Sequence, residues 1–251
     1  LEATGATGVA GHAGVKIDVS DRLSFGARYL SSVELDYDGD ATFEQVETGL
    51  VAPAPNPFSE EDPVSFDALL AGQFQGDGLL VDQDVSTSIE MPAQLAAGLA
   101  WRATERLTVL ADYQWVGWSS FDRVELEFDR LPTNVRVEDY DDTHGVRLGA
   151  DLALDDGWSV RAGFLRHGAA APDQTVTPLL PEGVRNEITA GLGWTVSPGF
   201  DVDVAYQHIA QDDRRGRVQE PAEGVDPTVG LNSGLYTFTG HLIGTTVTIH
   251  F

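Results

Sequence analysis

Three arginines stand where a carboxylate could be gripped. Arg28, Arg147 and Arg161 alternate with apolar neighbours and share the polar side of that alternation with Asp18, Asp112, Asp151, Asp201 and Asp203. A guanidinium binds a carboxylate through two parallel hydrogen bonds, which makes these arginines candidate polar contacts for a ligand in a lumen. The same placement serves cross-strand ion pairs that fill an interior, because a charge withdrawn from water needs a partner whether or not a ligand arrives. The six histidines, His12, His144, His167, His208, His241 and His250, show neither His-Glu-x-x-His nor another metal-ligand spacing. There is no Gly-x-Ser-x-Gly elbow and no phosphate-cradling loop. Neither catalytic residues, a metal nor a cofactor is therefore expected, although a hydrolase with triad residues scattered along the chain stays open as an alternative.

Charge narrows the partners. The chain of 251 residues carries a formal net charge of −25 with a pI near 4.2, and Lys16 is its single lysine against 14 arginines. No basic surface is available to neutralise phosphates, which argues against nucleic acid. Acidic runs at Asp36, Asp38 and Asp40, at Glu60–Asp62, and at Asp139, Asp141 and Asp142 lack the spacing of an EF-hand loop. They read as solvated loops that could also bridge lipopolysaccharide through divalent ions. The absence of cysteine removes disulfides, thiolate metal sites and a Cys nucleophile together.

The elements that must position these residues are strands. From Leu23 to Tyr37, Leu23, Phe25, Ala27, Tyr29, Val33, Leu35 and Tyr37 share one face, opposite Ser24, Gly26, Arg28, Ser32, Glu34 and Asp36. A period of two means one apolar and one wet side. The pattern recurs over Val109–Trp115, Val146–Leu154, Trp158–Phe164, Ile188–Thr195 and Phe200–Gln207, and more weakly over Ala13–Val19, Leu95–Trp101 and Thr245–Phe251, which predicts nine strands. Mean hydropathy is −0.14 and no apolar run reaches the ~18 residues of a spanning helix. Half-apolar strands of about 9–11 residues, by contrast, are what crossing a bilayer at a tilt requires.

Connections alternate as well. Those at Ser20–Arg22, Thr104–Arg106, Asp155–Gly157 and Ser197–Gly199 are short and polar, whereas the links at Asp38–Ser86, Ser120–Val135, His167–Asn186 and Ala210–Leu235 are long. Short turns at one rim and long loops at the other are the layout of a transmembrane antiparallel up-and-down β-barrel, all-β and multi-pass in a bacterial outer membrane. Trp101, Trp158, Trp194 and Phe200 lie beside the short turns, with Tyr113, Trp115 and Trp118 further up, as two aromatic girdles would require. A soluble sandwich filled by these rings is disfavoured by the strand length. The chain ends on an alternating strand with a terminal aromatic, Phe251, similar to an outer-membrane assembly signal. Nine strands conflict with the even count of closed bacterial barrels, so the first strands are expected to lie outside this chain.

Three stretches resemble the FadL family of outer-membrane channels for long-chain fatty acids and other hydrophobic compounds. The first runs from Met91-Pro92 through Trp101 and Ala111–Trp115 to Trp118-Ser119-Ser120-Phe121, similar to a Leu-Pro start and a Tyr-x-x-Trp-Ser-x-Phe strand. The second, and most specific, is Gly145–Gly149 through Asp156–Gly163; the third is Ala171-Pro172-Asp173, Pro178–Arg185 and the glycines at Gly191 and Gly193. Together they cover about residues 90–200. The resemblance implies a barrel of roughly 14 strands plugged by an N-terminal hatch, of which residues 1–251 would form the C-terminal part of one barrel domain, with hatch and first strands supplied elsewhere. It also implies passive uptake, with docking on outer loops, passage through a plugged lumen and a lateral exit. Partners would then be a hydrophobic small molecule or fatty acid, outer-membrane lipid and lipopolysaccharide.

On that template the outer docking site falls in the longest link, which holds Phe58, Phe66, Leu69, Leu70, Phe74, Leu79 and Leu80. Seven large apolar residues in a solvent-facing loop call for an explanation. They either form a greasy landing surface or pack on one another as a lid, and the two are compatible. An outer-membrane phospholipase or esterase, and an adhesion or structural barrel whose acidic loops bind a protein, are the competing functional classes.

Overall fold

The computed structural model describes residues 2–176, 182–216 and 234–250. Phe251, residues 178–181 of the proline-rich stretch and residues 217–233 of the last long link lie outside the described residues. In chain order the elements are β1 (Glu2–Thr4), β2 (His12–Ser20), β3 (Leu23–Leu30), β4 (Val33–Ala41), β5 (Val51–Ala52), β6 (Val64–Ser65), α1 (Phe66–Leu70), β7 (Gln83–Met91), β8 (Gln94–Arg102), β9 (Leu107–Val116), β10 (Arg123–Phe128), β11 (Asn134–Val137), β12 (Thr143–Ala153), β13 (Trp158–His167), β14 (Arg185–Ser197), β15 (Phe200–Arg215) and β16 (Leu235–Ile249). They fall into two compact units, one made chiefly of residues 34–89 and 123–136, the other of the remaining strands.

The larger unit is a nine-stranded antiparallel sheet in the order β16-β15-β14-β13-β12-β9-β8-β3-β2. Every member pairs with its successor among these nine, so the sheet is an up-and-down meander of the nine strands expected from the alternation. Pairing register preserves the two faces: Val146, Leu148, Ala150 and Leu152 of β12 meet Arg166, Phe164, Ala162 and Val160, while Arg147, Gly149 and Asp151 meet Leu165, Gly163 and Arg161. The short turns carry the backbone geometry that reversal requires. Gly157 and Gly199 have φ of 76° and 89°, and a Cβ at Gly157 would lie 2.9 Å from the Thr195 carbonyl oxygen. At the β8–β9 turn the Thr104 hydroxyl accepts from the N–H groups of Arg106 and Leu107.

The core is inverted relative to a water-soluble protein. Among the described residues only Ala41, Val85, Val116, Ala170, Ala171 and Val176 are buried apolar side chains. The apolar face of the sheet is open instead: Leu148, Ile188, Leu192, Ile243 and Val247 are between 51% and 77% exposed. A continuous apolar surface of this extent is unstable against water and calls for lipid. Its lower rim carries Trp158 stacked on Trp194 with ring centroids 5.1 Å apart, a cross-strand pair at the end where β13 and β14 meet.

Two expectations are corrected. The single strand read from Leu23 to Tyr37 is two strands in different sheets, β3 and β4. The apolar series breaks at Ser31, whose N–H donates to the Gly11 carbonyl at 2.8 Å, while its hydroxyl accepts from the Gly11 N–H at 2.8 Å and donates to the Ser32 carbonyl. These bonds pin the chain to the start of β2 and end the β3 ladder. Secondly, the links at Asp38–Ser86 and Ser120–Val135 are not irregular loops. They supply most of a five-stranded sheet in the order β1-β4-β7-β10-β11, and the first also contains the β5–β6 ribbon and α1.

Candidate functional site

The polar face of the nine-stranded sheet is a net of mutually neutralised groups. Arg161 on β13 donates from Nε to Asp151 on β12 at 2.8 Å, and from Nη1 to Asp203 on β15. To reach Asp203 the guanidinium crosses the whole of β14, and it does so over glycine. A Cβ at Gly193 would stand 2.5 Å from Ser159 Oγ, 2.7 Å from Asp203 Oδ1 and 3.2 Å from Arg161 Nη2. Gly193 therefore has a steric reason in this chain: the strand beneath the arginine must be bare at that position.

Arg147 is engaged in the same manner, with Nη1 3.2 Å from Asp112 Oδ1 and Nη2 donating to Gln114 Oε1 at 2.7 Å, both on β9. Gln207 of β15 donates to the buried Glu187 of β14, and towards the short turns Thr195 and His250 both contact the Asp201 carboxylate. Of the three arginines singled out in the sequence, Arg28 alone has no ion pair among the described residues; it lies between Gly14 and Ala96 in register. Exposed pairs of this kind each contribute only about 0.2–1 kcal/mol, so their role is to make a polar wall in which Arg147 and Arg161 are held by carboxylates. Gly149, Gly163 and Gly191 leave a concavity of ≈ 430 Å³ along it, bordered by Asp112, Arg147, Arg161, Glu187 and Gln207.

In the smaller unit, the seven apolar residues of the longest link are held on a scaffold of polar bonds. α1 carries Phe66, Leu69 and Leu70 and is capped by Ser65, whose hydroxyl accepts from the Ala68 N–H. Asp67 in its first turn accepts from Thr48 N–H, Thr48 Oγ1 and Gly49 N–H at 3.1, 2.8 and 2.8 Å. The Thr48 backbone donor first, then its hydroxyl and the Gly49 N–H, hold the Asp67 carboxyl below the ordinary carboxylate value. Phe58 sits in a turn organised by Asn56, whose side-chain oxygen accepts from the N–H groups of Phe58 and Ser59. Further on, the Arg130 guanidinium donates to the carbonyls of Gly76 and Gly78, and Gln83 donates to those of Leu79 and Val81. Phe58, Phe66, Leu69, Leu70 and Leu79 are exposed on this scaffold, Phe58 by 61%, while Phe74 and Leu80 are half-buried.

Other groups were not separable in the sequence. Asp142, read as part of an acidic run, accepts from Trp115 Nε1 at 2.9 Å and from the Ser119 N–H at 3.0 Å, and so ties the end of β9 to the start of β12. Beside it Trp118, Phe121 and Tyr140 pack edge to face with centroids 5.1–6.4 Å apart. The Tyr-x-x-Trp-Ser-x-Phe stretch thus builds one folded junction. On the apolar face, Tyr113 bonds His144 and Tyr206 bonds His241, each from phenol oxygen to Nδ1 at 2.6–2.7 Å. Only the register, which sets these rings diagonally across two strands, reveals the pairs.

A family model described as "Outer membrane protein transport protein (OMPP1/FadL/TodX)" matches residues 4–251. The chain belongs to this family. Among its relatives, it is 22% identical over 244 residues to the "Putative outer membrane protein NMB0088" of Neisseria meningitidis, covering 93% of this chain and 49% of that protein. In fold it is similar to a Pseudomonas aeruginosa FadL homologue, with a TM-score of 0.64 at 19% identity over 94% of this chain and 50% of that one. It is also similar to the Pseudomonas putida toluene transporter TodX, with a TM-score of 0.52 at 20% identity over 96% and 48%. This FadL/TodX-family chain spans about half the length of the curated relatives it matches. The match agrees with the outer-membrane location and all-β class read from the alternation.

Two outcomes follow from the geometry. Gly193→Val in the full-length protein drives a side chain into the Arg161 bridge and lowers stability by about 1–3 kcal/mol in urea titrations from lipid vesicles; Gly244→Ala, on the same face with nothing within 4 Å of its Cβ, leaves the midpoint unchanged. Secondly, because the folded Asp67 pKa is depressed, its clamp is present above the unfolded carboxylate value of about 4 and is lost as pH falls through the lower folded value. Limited proteolysis with an acid-active protease should therefore leave residues 43–50 protected around pH 4 and cut them only below it, whereas Asp67→Asn exposes them at neutral pH.

Proposed function

We propose that this chain is part of an outer-membrane channel for the passive uptake of hydrophobic compounds, long-chain fatty acids among them. The observation that carries the reading is the sheet with an open apolar face and a polar, self-neutralised opposite face, in a chain of a transport family. Lipid covers the first face. The second lines a lumen in which Arg147 and Arg161 are already bound by aspartates, so that a weakly polar cargo is not trapped by them.

Initial capture falls to the smaller unit, at Phe58, Phe66, Leu69, Leu70, Phe74, Leu79 and Leu80. Apolar surface held open by a polar scaffold suits low-affinity docking of a greasy molecule, since ligand sites are mostly apolar with a few orienting groups. Arg28, Arg147 and Arg161 serve as lumen contacts, the latter two in structural pairs. β2 and β16 each have a strand on one side only. In lipid every backbone N–H and C=O needs a partner, so we infer that further strands close these edges and that a plug occupies the lumen, with the cargo leaving sideways into the membrane. No bond of the cargo is made or broken. Of the proteins reported above, one is named a putative outer-membrane protein and another a toluene transporter.

The test is Leu69→Asp combined with Leu70→Asp in the full-length protein, expressed in cells that depend on hydrophobic substrate entry. Both side chains are about half exposed, so folding and surface expression should be unchanged. Uptake at limiting substrate is expected to fall several-fold and to recover at high substrate. Unchanged uptake at limiting substrate would remove α1 from the path.

A further inference from the structure

Residues 34–89, which hold all seven apolar docking residues, contain thirteen Asp or Glu and not one Lys or Arg. The whole smaller unit has seventeen carboxylates against three arginines, Arg123, Arg130 and Arg136. None of the three is available to a ligand carboxylate. Arg130 donates to the Gly76 and Gly78 carbonyls, Arg123 faces Glu125 at 3.9 Å, and Arg136 is likewise engaged. The carboxylates also lie close in sequence to the apolar side chains: Asp77 is two residues from Leu79, a reach of about 7 Å between Cα atoms at most, and Glu60, Glu61 and Asp62 follow Phe58 after a single residue, Ser59. At ~0.1 M salt the screening length is about 10 Å, so a ligand resting on Leu79 or Phe58 feels these charges.

From this we infer that the docking surface selects uncharged hydrophobic molecules, alcohols, esters, hydrocarbons or a fatty acid in its protonated form, over anionic amphiphiles such as the same acid ionised. The inference rests on the docking role proposed above and sharpens it. Apolar area attracts either kind of ligand about equally through its tail. The head decides, because like charge in this field slows encounter and weakens binding, by on the order of tenfold at low salt. Past the docking surface Arg147 and Arg161 already bridge aspartates, which leaves Arg28 as the one of the three lumen arginines without an ion pair among the described residues.

The experiment measures displacement of an uncharged environment-sensitive dye from the full-length protein in nonionic detergent. The competitors are a straight-chain alcohol and the carboxylate of equal length, at a pH where the latter is ionised, with partition into empty micelles measured separately. The alcohol is expected to compete about tenfold better at low salt, with the gap closing as salt rises. Combined Glu60→Gln, Glu61→Gln and Asp62→Asn, whose side chains are exposed, should narrow the gap at low salt and leave the alcohol unaffected. A carboxylate that competes as well as the alcohol at low salt, or a gap that ignores both salt and these substitutions, would overturn the inference while leaving the docking role standing. Absence of any displaceable dye would overturn both.

Discussion

In hydrocarbon no water is present to satisfy a peptide group, so every N–H and C=O of a spanning segment has to find its partner on a neighbouring strand. From that requirement the remaining features of the larger unit follow. Pairing fixes strands, strands fix a period of two, and the period assigns each side chain to lipid or to the lumen. Eight consecutive ladders in unbroken antiparallel order satisfy the requirement between β2 and β16. Each sequence run that alternates is therefore also a run whose backbone is bonded on one or both sides, and the apolar face can remain exposed because its solvent is not water.

The polar face has a different problem, which is to hold charge without holding the cargo. Aspartate and arginine placed on it pair between adjacent strands and, in the case of Arg161 and Asp203, across the one intervening strand β14. That reach passes over Gly193, where a side chain would clash, which links this glycine to the electrostatics of the wall. Beyond the strands, charge is handled in the opposite way. The smaller unit carries seventeen carboxylates against three arginines around an apolar surface, so its polar environment differs in net field from that of the sheet.

How much of this was legible depended on the range of the interaction concerned. The nine strands and their faces could be read because alternation is local, and β12 with β13 is the clearest instance. The break at Ser31 was hidden, since Val33, Leu35 and Tyr37 continue the apolar phase of Phe25, Ala27 and Tyr29, and only one serine in that series marks where Gly11 takes the chain's hydrogen bonds. β10 carries an alternation of its own in Val124, Leu126 and Phe128, too short to stand out within a long link rich in charge. The Asp67 clamp and the Asp142 junction joined residues about twenty positions apart with no motif to announce them. Of the docking residues, their apolar type was visible and their exposure was not, because exposure is decided by the scaffold of Asn56, Asp67 and Gln83.

The central claim is that the alternating faces of the nine-stranded sheet divide lipid from lumen. The absence of native cysteine in this chain permits single spin labels along β12 in the full-length protein reconstituted in bilayers, read by accessibility to molecular oxygen and to a water-soluble nickel complex. Labels at Val146, Leu148, Ala150 and Leu152 should favour oxygen, and labels at Arg147, Gly149 and Asp151 the nickel complex, with a period of two. Uniform access of the nickel complex along the strand, or the opposite phase, would contradict the account.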